Sequence, residues 1–432
     1  MKSELRAIAE RSKRASRAVA SLNAEQKNGA LAAMADAIEK SAAAILRANE
    51  EDVASASEML ESGEISPSTF KRLKLSPREL EEMAQSVRSV GSLGDPVGRV
   101  LERTQLDEGL ILEKVSCALG VLAVIFEARP DAVTQIAALA VKSGNAVILK
   151  PGKEVERTAS VLVETLRCAL RQCEIGEDAI NVILGRQAVQ ELLSFDDVVD
   201  LVIPRGSRQL VEYVQANTRI PVLGHAEGIC HVYVDAAADP EMALAIIDDA
   251  KTDYPAACNA AETALIHESI AGEFLPRLAE RLKAKNVQLR GCEKTCEILG
   301  RAWVNPVEDW HEEHSDLILA IRVVRGMTEA IDHIHRYGSS HTETIVTNDD
   351  TAAARFLSEV DSAGVFHNAS TRFADGHRYG FGAEVGISTS KLHARGPVGL
   401  EGLTTYKYAL HGKGHLAGDY RNGRPFRHKR LS

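Results

Sequence analysis

Apolar positions recur at helical spacing through the first hundred residues, where Leu31, Met34, Ala35 and Ile38 share one face. Ser76-Pro77-Arg78-Glu79 places a capping serine, a proline at the first helical position and a reciprocating glutamate in register, so a second helix begins there. Gly94-Asp95-Pro96 ends the helical region. Over residues 97–115 two extended runs flank Asp107-Glu108-Gly109, a turn signal, and this predicts a hairpin. The rhythm then changes. Residues 120–126 are apolar without alternation, as expected of a strand buried on both faces. A helical run at 134–142 leads through Ser143-Gly144-Asn145 into a strand at 146–150, and a helix at 154–172 precedes a strand at 179–184. A short helix leads to a strand at 199–204, after which Arg205-Gly206-Ser207 opens a further helix. Strand and helix in alternation predict an α/β fold, an open parallel sheet with helices on its faces. From residue 239 the alternation restarts with a helix to 251 and strand-like runs at 317–324 and 344–347, a second α/β unit. The boundary is expected near residues 234–239.

Composition narrows the class. A chain of 432 residues carries a soft expectation of two to three domains, and 45% hydrophobic with 26% charged residues excludes wholesale disorder. A net charge of −10 argues against a nucleic-acid or anionic-membrane binder, and no apolar run approaches the ~20 residues that span a bilayer. Seven scattered cysteines make no disulfide framework, which points to a cytoplasmic protein. Residues 1–22 have an Ala/Arg/Ser bias resembling a transit segment, but Glu4 and Glu10 interrupt the basic face and an amphipathic structural helix is preferred. The stretch from His411, with Arg421, Arg424, Arg427, Lys429 and Arg430, is expected to be a frayed, solvated tail.

Candidate chemistry follows from this frame. The first strands lack G-x-G-x-x-G, so the common dinucleotide fingerprint fails. Pro204-Arg205-Gly206-Ser207, between a strand and a helix, suits a phosphate on its N–H groups and Arg205, or is an ordinary strand-to-helix turn. Lys150-Pro151-Gly152-Lys153 ends a strand where ligands of open sheets bind; its lysines suit a ribose and its phosphate, or a solvated strand end. Cys292 and Cys296 have metal-like spacing without a second pair, so no metal is expected. Cys258 sits among small residues in Pro255-Ala256-Ala257-Cys258-Asn259-Ala260, a candidate nucleophile in an accessible loop. Asn368-Ala369-Ser370-Thr371-Arg372, Gly380 to Glu384 and the run from Lys391 to Pro397, with Arg395, suit a small anionic ligand or a polar surface loop.

At these residues the sequence resembles the gamma-glutamyl phosphate reductase (glutamate-5-semialdehyde dehydrogenase) family, and the reductase half of pyrroline-5-carboxylate synthases. The resemblance rests on Phe126-Glu127-Ala128-Arg129-Pro130, Ile203-Pro204-Arg205-Gly206, Pro221-Val222-Leu223-Gly224-His225, Gly228-Ile229-Cys230-His231, Cys258-Asn259-Ala260-Ala261-Glu262-Thr263 and Asn368-Ala369-Ser370-Thr371-Arg372-Phe373. It implies an aldehyde-dehydrogenase fold with a cofactor domain over 1–235, a flap hairpin near 97–117, a catalytic domain over 236–395, and a return of 396–432 to the flap. It also implies NADPH-dependent reduction of L-glutamyl 5-phosphate through a Cys258 thioester, with Lys150, Lys153, Arg205, Gly206, Ser207 and Glu313 toward the cofactor. Arg129, Asn259, Asn368, Ser370, Thr371, Arg372 and Arg395 are the residues expected to meet the substrate. The implied partners are a second copy or more of the chain, as dimer or tetramer, and a glutamate 5-kinase. Hydrolytic relatives carry a Glu before Leu-Gly-Gly to activate water; here Val222 occupies that position, with Glu227 nearby. Lys153 stands where many relatives have a Glu that repels the 2′-phosphate of NADP. His225, His231 and His393 are the histidines weighed as neighbours of Cys258. Two other readings remain: a hydrolytic aldehyde dehydrogenase, and a catalytically silent partner of the kinase.

Overall fold

The apolar runs that lack alternation become strands covered on both sides. In the computed structural model, which describes residues 2–224, 227–421 and 424–431, the predicted hairpin is β1 (Val100–Asp107) and β2 (Leu110–Ala118), turning at Gly109. Gly109 has φ of +74°, the left-handed conformation that the turn needs and glycine adopts without strain. There follow β3 (Val121–Phe126), β4 (Ala146–Pro151), β5 (Ile180–Val182) and β6 (Leu201–Arg205), a parallel sheet in the order β5-β4-β3-β6. Its core includes Val121, Ala123, Ile125, Ile148 and Val202. Each buried valine or isoleucine among them contributes about 1.5–3 kcal/mol over an exposed one. The helix Lys2–Ala20 packs Ala9 into this core and pairs Lys13 with Asp200, so the first segment is structural as expected. The capping box predicted at Ser76 is present, with Ser76 and Glu79 serving each other's backbone N–H.

The second sheet has seven parallel strands: β7 (Cys230–Val234), β8 (Ala261–His267), β9 (Gln288–Gly291), β10 (Asn305–Pro306), β11 (Ile318–Val324), β12 (Thr342–Val346) and β13 (Gly364–His367). Their order is β10-β9-β11-β8-β7-β12-β13. The expected boundary near 234–239 is corrected here. β7, placed by that boundary in the first domain, pairs with β8 and β12 at the centre of the second sheet. The chain accordingly divides into one unit of residues 1–224, 381–386 and 398–432 and another of 225–380 and 387–397.

Within the second unit, the short strands β14 (Ile387–Ser388) and β15 (Gly396–Pro397) pair with each other. In the first unit, β16 (Thr404–His411) and β17 (Lys429–Arg430) join the hairpin to make a four-stranded antiparallel sheet, β16-β2-β1-β17. The hairpin and the returning strands thus form one sheet; the tail is exposed along almost all its described residues, as expected of a solvated segment, but is paired with the sheet rather than frayed. The buried Asp107 carboxylate receives Arg424 at 2.6 Å, Arg427 at 3.3 Å and the Tyr420 hydroxyl at 3.0 Å, and Tyr420 stacks on Phe426. Arg424 and Arg427, though half-exposed, are the counterions of the hairpin turn.

Candidate active site

Cys258 lies in the loop between the helix Pro240–Thr252 and β8, at the amino end of the strand. Tight turns fold this loop back, with Ala257 N–H bonded to Tyr254 O and Ala260 N–H to Ala257 O. Its thiol is free and half-buried. Gly228 shows why small residues surround it: a Cβ there would stand 2.2 Å from the Cys258 carbonyl oxygen and 2.5 Å from its Cα, so only glycine lets the two chains approach. Cys230 donates to the same carbonyl at 3.3 Å, and burial raises its thiol well above the ordinary value.

The nucleophile's partner is a residue the sequence did not single out. His341, buried just before β12, places Nε2 3.2 Å from Cys258 Sγ, while its Nδ1 meets the Thr342 hydroxyl at 2.8 Å. A hydroxyl both donates and accepts, so Thr342 serves either tautomer, and Nε2 can hold the thiol's proton or donate to the thiolate. Of the histidines weighed from sequence, His231 is buried with Nδ1 on Glu343 at 2.9 Å, His393 is exposed, and His225 lies outside the described residues. The signal for His341 was its position three residues before the predicted strand at 344–347, which pairs with the strand that carries Cys230.

Beneath the loop, Lys251 and Glu262 form an ion pair at 3.0 Å, both buried. Burial pushes Glu262 up to about 7 and Lys251 down, and Ser315 N–H bonds the other Glu262 oxygen at 3.3 Å. Glu313 lies near enough to raise Glu262 further.

The expected substrate residues separate into groups. Asn259 and Thr371 are buried, with Asn259 Oδ1 and Thr371 Oγ1 unpartnered, and Asn259 Nδ2 donates to Ala374 O at 2.9 Å. Arg372 joins the Cys258 loop through Asp253 at 3.1 Å. Asn368 and Ser370 are turned to the backbone: Asn368 accepts from Thr347 N–H and donates to Thr347 O, and Ser370 Oγ accepts from Arg372 N–H. Neither has its full polarity left for a ligand. Arg395 is bound to Asp361 at 2.7 Å, with Lys391 on the same carboxylate. Arg129, at the carboxyl end of β3, has no side-chain hydrogen bond or ion pair among the described residues.

At the cofactor candidates, Lys150 is buried and donates to Pro151 O at 2.6 Å, and burial lowers its pKa. Lys153 is exposed, 4.0 Å from Glu64, and lines a cleft of about 1010 Å³ with Arg47 and Arg157. These cations share the cleft with Glu51, Asp52, Glu58, Glu64, Glu154 and Glu156, and Arg157 is paired with Asp52 at 3.3 Å. Ser207 N–H donates to the Glu127 carboxylate at 2.8 Å, so the donor expected for a phosphate is already engaged. The approach also explains Gly206, where a Cβ would stand 2.3 Å from that carboxylate. Val222 bridges to Val202 and packs on the first core, so the position of the hydrolytic glutamate holds no acid.

A strand-flanked cysteine loop, two parallel sheets and a four-stranded flap define the class: the aldehyde dehydrogenase family matches residues 1–297, and the chain belongs to it, a family of nicotinamide-dependent enzymes. Among its relatives is a protein named gamma-glutamyl phosphate reductase from Synechococcus sp. (strain JA-2-3B'a(2-13)), 54% identical over 93% of this chain and 89% of its own length. One of the same name from Nostoc sp. (strain PCC 7120 / SAG 25.82 / UTEX 2576) is 50% identical over 99% of this chain and 98% of its own. The crystal structure of gamma-glutamyl phosphate reductase from Thermotoga maritima aligns with a TM-score of 0.92 at 40% identity, covering 96% of this chain and 99% of that one.

Proposed function

We propose that this chain reduces L-glutamyl 5-phosphate to L-glutamate 5-semialdehyde and phosphate, the second step of proline biosynthesis from glutamate. The observation that carries this reading is the 54% identity to a gamma-glutamyl phosphate reductase across a region that includes the Cys258 loop. The Cys258 thiolate, relieved of its proton by His341 Nε2, attacks the acyl carbon; the C–O bond to phosphate breaks, and a thioester forms. The Cys258 backbone N–H, which has no acceptor among the described residues, supports the oxyanion. When bound, NADPH supplies the hydride that reduces the thioester. As the resulting thiohemiacetal collapses to aldehyde, the proton held at His341 returns to sulfur. With Val222 in place of a water-activating acid, the thioester waits for hydride rather than being hydrolysed.

Lys150 and Lys153 hold the ribose and phosphate of the cofactor, with Lys153 favouring NADP over NAD, and Arg129 takes a substrate anion. Glu313 is assigned toward the nicotinamide ribose. The chain works as a homo-oligomer, dimer or tetramer, through β16, an edge strand exposed over Thr405–Tyr408 on both faces. The acyl phosphate is labile, so handover from a glutamate 5-kinase suits the chemistry.

The test runs the reaction backwards. L-Glutamate 5-semialdehyde and NADP are mixed with the protein, and reduced cofactor is followed with and without phosphate. Phosphate-dependent reduction, lost in Cys258→Ala, is the expected result. Reduction indifferent to phosphate would indicate a hydrolytic dehydrogenase, and none at all a silent partner.

A further inference from the structure

The loop that carries Cys258 is tied at both ends to the segment 370–378. At its start, Asp253 Oδ2 accepts from Arg372 Nε at 3.1 Å and from Arg378 Nη2 at 3.0 Å, and Arg378 Nη1 donates to the Arg372 carbonyl at 2.8 Å. At its end, Asn259 Nδ2 holds Ala374 O. Two guanidiniums thus share a single oxygen of one carboxylate, which leaves a net positive charge at the start of the loop that carries the nucleophile. The other Asp253 oxygen and the terminal nitrogens of Arg372 make no hydrogen bond among the described residues. Side-chain exposure is 37% for Asp253 and 38% for Arg378, against 11% for Arg372, so the first two are open to a ligand and the third forms the floor. Next to them lie the unpartnered buried Asn259 Oδ1 and Thr371 Oγ1, a polar deficit that an internal structural cluster would have filled.

We propose that Arg372, Arg378 and Asp253 are the subsite for the amino-acid end of the substrate, with the α-carboxylate on the two arginines and the α-ammonium on the free oxygen of Asp253. This rests on the function proposed above and deepens it. A zwitterion presents one charge of each sign on a single carbon, and the cluster presents both complements within one hydrogen-bonded group. Guanidinium forks match a carboxylate in two places, which a lysine cannot. Arg378, first, and Arg372 hold the Asp253 carboxyl below the usual carboxylate range, so it stays an anion for the ammonium at neutral pH. An aldehyde lacking both charges leaves these groups without partners, and that is where discrimination arises.

The experiment measures kcat/KM with the full chain, in the phosphate-dependent direction, for three aldehydes: L-glutamate 5-semialdehyde, 5-oxopentanoate (no ammonium) and butanal (neither charge). Arg378→Ala is expected to lower the preference for the semialdehyde over butanal by about tenfold or more, and Asp253→Asn the preference over 5-oxopentanoate by a similar factor, on the scale of lost polar recognition. Arg378→Lys keeps the charge without the fork and falls between; it also serves if the alanine variant does not fold, which circular dichroism reports. Preferences unchanged in folded variants would overturn the subsite. So would an effect confined to the KM for phosphate, which would assign the arginines to the phosphoryl group. A wild-type chain that does not turn over the semialdehyde would bring down the functional reading, and the subsite with it.

Discussion

His341 and Cys258 are 83 residues apart in sequence and 3.2 Å apart in space. Removing the imidazole while keeping a polar side chain isolates its role. His341→Asn is expected to lower turnover by roughly 10²–10⁴-fold, the range of general acid–base contributions. The rate of Cys258 alkylation by iodoacetamide is expected to fall in this variant, since the 3.2 Å contact that can take the thiol proton is gone. An unchanged alkylation rate would show that the histidine is structural. The cysteine was legible in sequence because small residues around a loop thiol mark access, whereas the histidine was not, because its partner is reached only through the pairing of β7 with β12. Open-sheet reasoning also directs attention to carboxyl ends of strands, and this thiol–imidazole pair sits at amino ends. Asn368 misled for another reason. Its polarity suggested a ligand, but at φ of +54° its side chain is tied to the Thr347 backbone.

At the scale of elements, the helix Met327–Tyr337 carries His333 into a buried cluster with His231 and Trp310, where its Nε2 has no partner. Burial, then the neighbouring His231 and Arg322, lowers its pKa to about 2. An unfolded chain takes up a proton here near pH 6.5 and the folded chain does not. Stability from this group is therefore complete above pH 6.5 and is lost as pH falls from there toward 2, by at most about 1.4 kcal/mol per pH unit. His333→Phe is expected to flatten that slope in urea unfolding measured between pH 7 and 5; an identical slope would rule out the histidine as its source. The strands β3 and β4 could be read directly because burial on both faces leaves uninterrupted apolar runs. β8 escaped notice because Glu262 stands second in it, a charge made tolerable there by Lys251 on the preceding helix and by the Ser315 N–H. β7 was recognisable as apolar but not assignable, since an apolar run suits either sheet and its partners come later in the chain.

For the whole molecule, the proposed assembly is tested at β16. Tyr406, Tyr408 and Leu410 are exposed by 49%, 62% and 58%, on a strand whose outer edge is unpaired among the described residues. An edge of this length invites pairing with another chain. Leu410→Glu is expected to reduce the mass measured by light scattering toward that of a single chain without loss of secondary structure. An oligomer unaffected by it would place the interface elsewhere. The acidic net charge and the two α/β units were evident from composition and alternation, while the docking of the last residues on Asp107 was hidden because its partners lie more than 300 residues apart.

That docking has a temporal side. The hairpin of β1 and β2 ends at Ala118, and its neighbour β16 begins only at Thr404. At synthesis rates of about 5–20 residues per second, the interval between them is roughly 15–60 s. Throughout it, the inner edge of β2 has no strand to pair with and Asp107 has none of its arginines. A nascent chain of this protein therefore carries an unprotected sheet edge through that whole interval, and the flap closes only after the second α/β unit has been made.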